Sequence, residues 1–210
     1  MAITRDTIIE FINAASGIMD ENKEYLIELD AALGDGDLGL TMSTGFGRAK
    51  EEGSKSSETD IGKLFMLFGM TFAKAVPSTM GTLVASGFMK AAKALKDKTE
   101  LATAEFATFG TEFVTGIMER GKAKPGDRTI IDSMHPAALA LQARAEQGED
   151  LAQAVKAAVK AAEEGVEATK NMKAAFGRGV FFGDQVLGRP DQGAIVGLLI
   201  YKAWEQVLCK

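Results

Sequence analysis

Apolar residues along this chain recur at intervals of three and four rather than two, and that spacing predicts helix almost throughout. Ile8, Ile9, Phe11, Ile12 and Ala15 share one face of a first helix that Thr4 or Asp6 can cap, and the pattern runs on through Tyr25, Leu26 and Leu29. An Asp/Gly segment, residues 30–39, interrupts it. Helix is predicted again over Met42–Lys50, followed by an exposed polar loop over Glu51–Thr59. Asp60 then caps a stripe of Leu64, Phe65, Leu67, Phe68 and Phe72 that ends at Ala75. The break Pro77–Thr82 precedes a helix over Leu83–Leu95, and further helices are predicted over Ala102–Arg120, Ile131–Glu146, Leu151–Ala168 and Gly193–Leu208. Val180-Phe-Phe182 is the sole candidate for a strand, and its glycine neighbours argue against it.

The helices themselves are chemically plain. The Met and Phe positions of Phe65–Phe72 and Phe106–Met118 follow helical spacing and read as core. Gly, Asp, Ser/Thr, Pro and Arg concentrate instead in four connections, residues 30–41, 77–82, 121–129 and 177–193. In an up-and-down bundle alternate connections fall at the same end, so these four are expected to converge on one site.

Composition narrows the function. The 210 residues are enough for one domain with a real core, spanning 1–210, and 46% are apolar with only 7% aromatic. A net charge of −5 with no basic stripe argues against a broad nucleic-acid surface, but not against one nucleotide held locally. No apolar run approaches the roughly 20 residues of a membrane span. Arg5, Asp6, Glu10 and Asp20 break up the first twenty positions, which are therefore not a signal peptide. The expectation is a cytoplasmic protein without membrane contact. The single Cys209 excludes an intramolecular disulfide and a zinc-thiolate site, and fits a reducing compartment. The single His135 excludes chemistry that needs two histidines, and its position before Pro136 reads as structural or superficial rather than catalytic.

The chemistry centres on Asp30, Asp35 and Asp37, set among Gly34, Gly36 and Gly39 with no cation nearby in sequence. Carboxylates this close repel one another unless something positive lies between them, and hard oxygen ligands select Mg²⁺, Ca²⁺ or Mn²⁺. An EF-hand fails on spacing, because Gly39 and Phe46 fall where ligands are required. A solvated acidic turn with capping aspartates is the competing reading. Gly36 and Gly39 before one helix, and Ser78-Thr-Met-Gly-Thr82 before another, could offer free N–H groups to a phosphate or serve as simple caps. Neither matches a P-loop or a Rossmann fingerprint. Arg178, between Gly177 and Gly179, suits a phosphate contact or a surface loop; Asp191-Gln-Gly193 suits a helix cap or a ribose or adenine contact.

Together these segments resemble the nucleotide-binding L subunit family of dihydroxyacetone kinase, essentially from end to end. The resemblance is carried by Leu29-Asp-Ala-Ala-Leu-Gly-Asp-Gly-Asp-Leu-Gly39, Gly45-Phe46, Asp60-Ile-Gly62 and Gly69-Met-Thr71. It continues in Arg120-Gly-Lys-Ala-Lys-Pro-Gly-Asp-Arg-Thr129 with Asp132, in Gly177-Arg178, in Leu187-Gly188 and in Asp191-Gln-Gly-Ala194. It implies an all-α fold, a closed barrel-like bundle of about eight amphipathic helices, with a nucleotide (ADP or ATP) and two Mg²⁺ at one end. By position, Asp30, Asp35 and Asp37 would hold the metal. Leu38, Gly39, Leu40, Thr41, Thr79, Met80, Gly121, Ile130, Arg178, Asp191, Gln192 and Gly193 would surround the nucleotide, with Arg178 also the catalytic cation.

The resemblance further implies that a separate K subunit holds the ketose covalently on its own histidine, so the chain would work in a hetero-complex or as a homodimer. Two donor schemes are open: ATP that exchanges freely, or a resident ADP rephosphorylated by a phosphohistidine carrier of the phosphoenolpyruvate-dependent system, which is preferred. The chain departs from the family pattern at Leu38, where the family has His, and at Pro77–Thr82, where it has Gly-Gly-Ala-Ser-Gly-Pro. Those changes point to altered phosphate or substrate contacts, and so to a different small ketose such as a tetrulose or to another phosphate donor. Rival readings are a non-enzymatic helical adaptor and the nucleotide domain of a fatty-acid kinase.

Overall fold

The computed structural model describes residues 2–210, and among them nine α-helices carry the chain. The order is β1 (Ile3–Thr4), α1 (Arg5–Glu21), α2 (Lys23–Ala31), α3 (Leu38–Lys55), α4 (Ile61–Ala75), α5 (Thr79–Ala94), β2 (Glu100–Leu101), α6 (Thr103–Gly121), α7 (Ile131–Glu146), α8 (Leu151–Thr169), a 3-10 helix (Arg178–Val186) and α9 (Gln192–Leu208). Helices α3 to α9 each pack on the next, α9 packs on α1, and α1 packs on α3, which closes the ring; α2 lies against α3 and α9 at one end. None of these helices is long and apolar enough to cross a membrane.

Aromatic rings fill the interior. Phe11 of α1 stacks on Trp204 of α9 at 3.8 Å, and Trp204 meets Phe106 and Phe109 of α6 edge-on. The series continues from Phe109 to Phe65 at 4.6 Å, and through Phe113, Phe88 and Phe72 to Phe46. Each such pair adds about 0.5–1.5 kcal/mol beyond the burial of its area. The ring is therefore a packed core, and ligand space is left at its ends and on its flanks.

Four boundaries differ from expectation, each for a local reason. The first helix breaks at Asn22, whose backbone leaves helical angles (φ −97°, ψ 7°) and whose side-chain amide donates to the Ile18 carbonyl at 2.8 Å. Helix α3 starts four residues earlier than predicted and runs to Lys55. Its polar tail stays helical because Arg48–Glu51 and Glu52–Lys55 pair along it while Gly53 is buried against Phe68 and Ile9. Helix α5 starts at Thr79, because the Ser78 hydroxyl caps Gly81 N–H at 3.0 Å. Ile3–Thr4 and Glu100–Leu101 pair as an antiparallel bridge too short to leave an alternating signature. Val180–Phe182 is not a strand but part of the 3-10 helix.

The α7–α8 contact shows how the sequence fixes a crossing. Pro136 lies inside α7 and has no N–H for the carbonyl four residues back, that of Asp132. That carbonyl instead faces Gly165 of α8, where an added Cβ would lie 2.2 Å from the oxygen. Small residues on both helices, Ala137, Ala138, Ala158 and Ala162, are buried around it. Gly165→Ala is expected to lower stability by about 1–3 kcal/mol through overpacking. Gly17→Ala, with nothing within 4 Å on the exposed face of α1, should instead gain about 0.5–1 kcal/mol. Urea unfolding of the two variants checks the pair; equal shifts would contradict the crossing.

Candidate functional site

Every second helix from α3 onward begins at the same place. Residues at or just before the N-termini of α3 (Asp37, Leu38), α5 (Ser78, Thr79), α7 (Thr129, Ile130) and α9 (Asp191, Gln192) line one cavity of about 480 Å³. Each N-terminus presents unpaired N–H groups and about half a positive charge, so four together make a site for an anion. A groove of about 620 Å³ between α3 and α4 is larger, but four of its five charged groups pair along α3, Arg48 with Glu51 and Lys55 with Glu52, and only Lys74 adds to them from α4.

The aspartate loop forms one wall. Asp30, buried at the end of α2, accepts from the Asp37 and Leu38 N–H groups at 3.0 and 3.3 Å, which folds residues 31–36 back over it. The chain passes so close at residue 34 that an added Cβ would lie 2.5 Å from the Asp30 Oδ1, which leaves room for glycine only. The result is three carboxylates, on Asp30, Asp35 and Asp37, each offering an oxygen within 4.8 Å of the others. The cation that the local sequence lacks arrives from far along the chain. Arg178 Nη2 donates to Asp35 Oδ2 at 2.7 Å. It does not neutralise the cluster. Partial desolvation, then Asp35, then Asp30, raise the Asp37 carboxyl above the usual range.

A second, buried ion pair ties the other walls together. Arg128 is 3% exposed, with φ at +60°, and donates through Nη2 to the carbonyls of Val186 and Arg189 at 3.0 and 2.9 Å. Its Nη1 lies 3.7 Å from Asp191 Oδ1. Asp191 caps α9 by accepting from Ala194 N–H at 2.8 Å, and its own N–H donates to Thr169 Oγ1. Burial pushes the Asp191 carboxyl up to about 6, against the pull of Ala194 N–H and Arg128. Asp132 shapes the neighbouring loop by accepting from Gly126 and Thr129 N–H.

Of the residues singled out in the sequence, Asp30, Asp35, Asp37, Leu38, Thr79, Met80, Ile130, Arg178, Asp191, Gln192 and Gly193 all line this cavity. Gly39, Leu40, Thr41 and Gly121 do not. Gly39 packs against α2, where an added Cβ would lie 2.1 Å from the Lys23 carbonyl; Leu40 is exposed, Thr41 is buried, and Gly121 abuts Leu83. With the Asp37 and Leu38 N–H groups spent on Asp30, the amides of Gly39 and Leu40 remain the unpaired ones of that helix start. His135 is half-buried on α7 outside the lining. Arg128, Phe176 and Leu83 line the cavity without having been singled out as site residues. The Asp-Arg-Thr run beside a Pro-Gly turn was the available signal for Arg128; for Phe176 and Leu83 there was none beyond apolar character.

Residues 32–206 match the family model described as the DAK2 domain. The chain is 32% identical over 194 residues to the phosphoenolpyruvate-dependent dihydroxyacetone kinase, ADP-binding subunit DhaL, of Escherichia coli K12, covering 92% of each. It is 37% identical over 189 residues to human triokinase/FMN cyclase, covering 89% of this chain but 32% of that one. Among solved structures, the dihydroxyacetone kinase of C. freundii in complex with AMP-PNP and Mg²⁺ superposes with a TM-score of 0.75 at 23% identity, over 94% of this chain and 33% of that one.

The raised Asp191 carboxyl has a signed consequence. From its ordinary 3.8 up to about 6, the folded chain holds a proton that the unfolded chain has released. This group's contribution to stability therefore falls as pH rises through that window, on the order of 3 kcal/mol at about 1.4 kcal/mol per unit. Asp191→Asn, which keeps an acceptor for Ala194 N–H, should lose this component. Urea midpoints between pH 4 and 7 measure it, and parallel curves for variant and wild type would refute the assignment.

Proposed function

The chain belongs to the DAK2 domain family, and on that premise we propose that it is the nucleotide-binding subunit of a dihydroxyacetone-type kinase, which holds Mg²⁺ with ADP or ATP in the cavity where α3, α5, α7 and α9 begin. The observation that carries this reading is the facing of three converging carboxylates by four helix N-termini across one cavity. A lone acidic turn would need no such partner. Up-and-down topology alone gathers the four connections, but it does not call for three carboxylates among them.

The donor set fits a hard divalent ion. Three carboxylates against the one guanidinium of Arg178 leave two negative charges, and Asp30 is already oriented by two backbone N–H groups on Oδ2 and by Gln192 Nε2 on Oδ1 at 3.3 Å. Asp30, Asp35 and Asp37 would hold the metal, with two Mg²⁺ proposed. When bound, Mg²⁺ would supply neutralisation of the phosphate charge and alignment of the transferred group. The chain's own groups do the rest. Leu38, Thr79, Met80 and Gly193 seat the nucleotide, and Arg178 takes up the charge that grows on the phosphoryl oxygens. Asp191 and Gln192 hold the start of α9 in place.

Nothing in the cavity is suited to hold a ketose covalently, which supports a partner subunit that presents the acceptor hydroxyl. The E. coli relative named as phosphoenolpyruvate-dependent covers 92% of both chains. Its name, an ADP-binding subunit of a phosphoenolpyruvate-dependent kinase, supports bound ADP and phosphoenolpyruvate as the source of the phosphoryl group; the route we propose is a phosphohistidine carrier acting on resident ADP in the cytoplasm.

Asp35→Asn and Asp37→Asn should each weaken Mg²⁺-dependent ADP binding by more than the roughly 10–100-fold typical of an outer-shell partner. Helical content, read by circular dichroism, should be unchanged. Calorimetry decides it: wild-type affinity in both variants would end the carboxylate assignment. Mass spectrometry of the native protein should find ADP retained, and a nucleotide-free chain that turns over ATP would favour exchange instead.

A further inference from the structure

The cavity has two unlike ends. Gln192 at the start of α9 bonds Asp30 on the acidic side. At Gly193, one residue on, an added Cβ would lie 3.0 Å from both Asp191 Oδ2 and Met80 Cε and 3.1 Å from Ile130 N; beyond the Asp191 cap the lining turns apolar, with Met80, Leu83 and Ile130. A nucleotide whose phosphates point to the aspartates runs its base along that wall. The mouth is crossed by a short strap pinned at both ends. Ala175 N–H donates to the Asp127 carbonyl at 3.1 Å, beside Thr129 and Ile130, and Arg178 bonds Asp35 at 2.7 Å.

Phe176 sits between these two anchors. It lines the cavity and is 41% exposed, whereas nine of the chain's twelve phenylalanines are buried in the core. Phe181, more exposed still, does not line the cavity. A partly exposed apolar ring at the wall of a polar cavity is available to a flat partner, and an aromatic ring stacks on any base because every base has a π-face.

Building on the nucleotide reading above, we propose that Phe176 is a further ligand-binding residue whose ring stacks on the base, so that the strap 175–178 grips the nucleotide at both ends: the base through Phe176 and the phosphates through Arg178. Calorimetric titration of the full chain with Mg²⁺·ADP and with Mg²⁺·pyrophosphate, which carries phosphates and no base, separates the two grips. Phe176→Ala should weaken ADP roughly 5- to 150-fold and leave pyrophosphate unchanged, while Phe176→Tyr should restore ADP affinity. In Phe176→Trp, ADP should quench the new indole and pyrophosphate should not, over a constant background from the buried Trp204. Unchanged ADP affinity in Phe176→Ala, or equal losses for both ligands, would overturn the stacking role while leaving the nucleotide reading intact. Wild-type chain that takes up neither ligand would overturn the nucleotide reading itself.

Discussion

The Asp30 carboxylate is the contact on which the site's geometry depends. One oxygen receives the backbone N–H groups of Asp37 and Leu38, and the other receives Gln192 from the far end of the chain. Those bonds close the aspartate loop, set the first turn of α3 and bring the start of α9 beside it. Asp30 is buried and held at fixed orientation by these three bonds. Asp35 and Asp37 are exposed and follow the loop's path. The electrostatic strain of three carboxylates is thus built around one rigid member and two adjustable ones, an arrangement suited to a cation that comes and goes.

Arg128 plays the corresponding part for the opposite wall. Its guanidinium is taken out of water, which is expensive, and the cost is offset by two backbone carbonyls and Asp191. The return is positional. Residues 186–189, the cap of α9 and the loop before α7 are fixed relative to one another by one side chain. The strap that leads into this segment is fastened to the metal wall by the exposed Arg178–Asp35 pair, which solvent weakens. The base of the segment is therefore firm, while the mouth of the cavity hangs on a contact that phosphate or metal can readily replace.

The helices were legible because periodicity needs only local information. The all-α class, the caps Asp60 and Asp191 and the gathering of four connections at one end followed from spacing and topology alone. Boundaries failed where tertiary contacts decide them. Glu51–Lys55 reads as loop by polarity, yet Gly53 is pinned under Phe68 and Ile9. The site was legible in its acids and glycines, whose chemistry is unusual in any context. Gly39 shows the limit: next to a helix start, a glycine for close helix packing looks the same as one for phosphate approach, and the structure gives it the first role at least. Arg128 was invisible as a buried cation because its partners lie some sixty residues away.

The division of labour between core and site follows from the same geometry. An interior filled with stacked and edge-on rings leaves no room for a ligand along the axis, so polar chemistry is confined to the ends, where helix termini carry unpaired backbone groups in any case. With alternate helices antiparallel around a ring, each end collects the N-termini of one alternate set and the C-termini of the other, so α3, α5, α7 and α9 begin at the end where α4, α6 and α8 finish. An anionic ligand is favoured where N-termini, and not the intervening C-termini, face a cavity, as the starts of α3, α5, α7 and α9 do here. Placing the aspartates at that same end would by itself weaken the attraction, since they oppose the helix dipoles; it becomes favourable once a divalent cation stands between carboxylates and phosphates. Carboxylates and phosphate compete for the same helix ends without metal and share a divalent ion with it, which is why their coincidence in one cavity argues for a metal–nucleotide complex more strongly than either does alone.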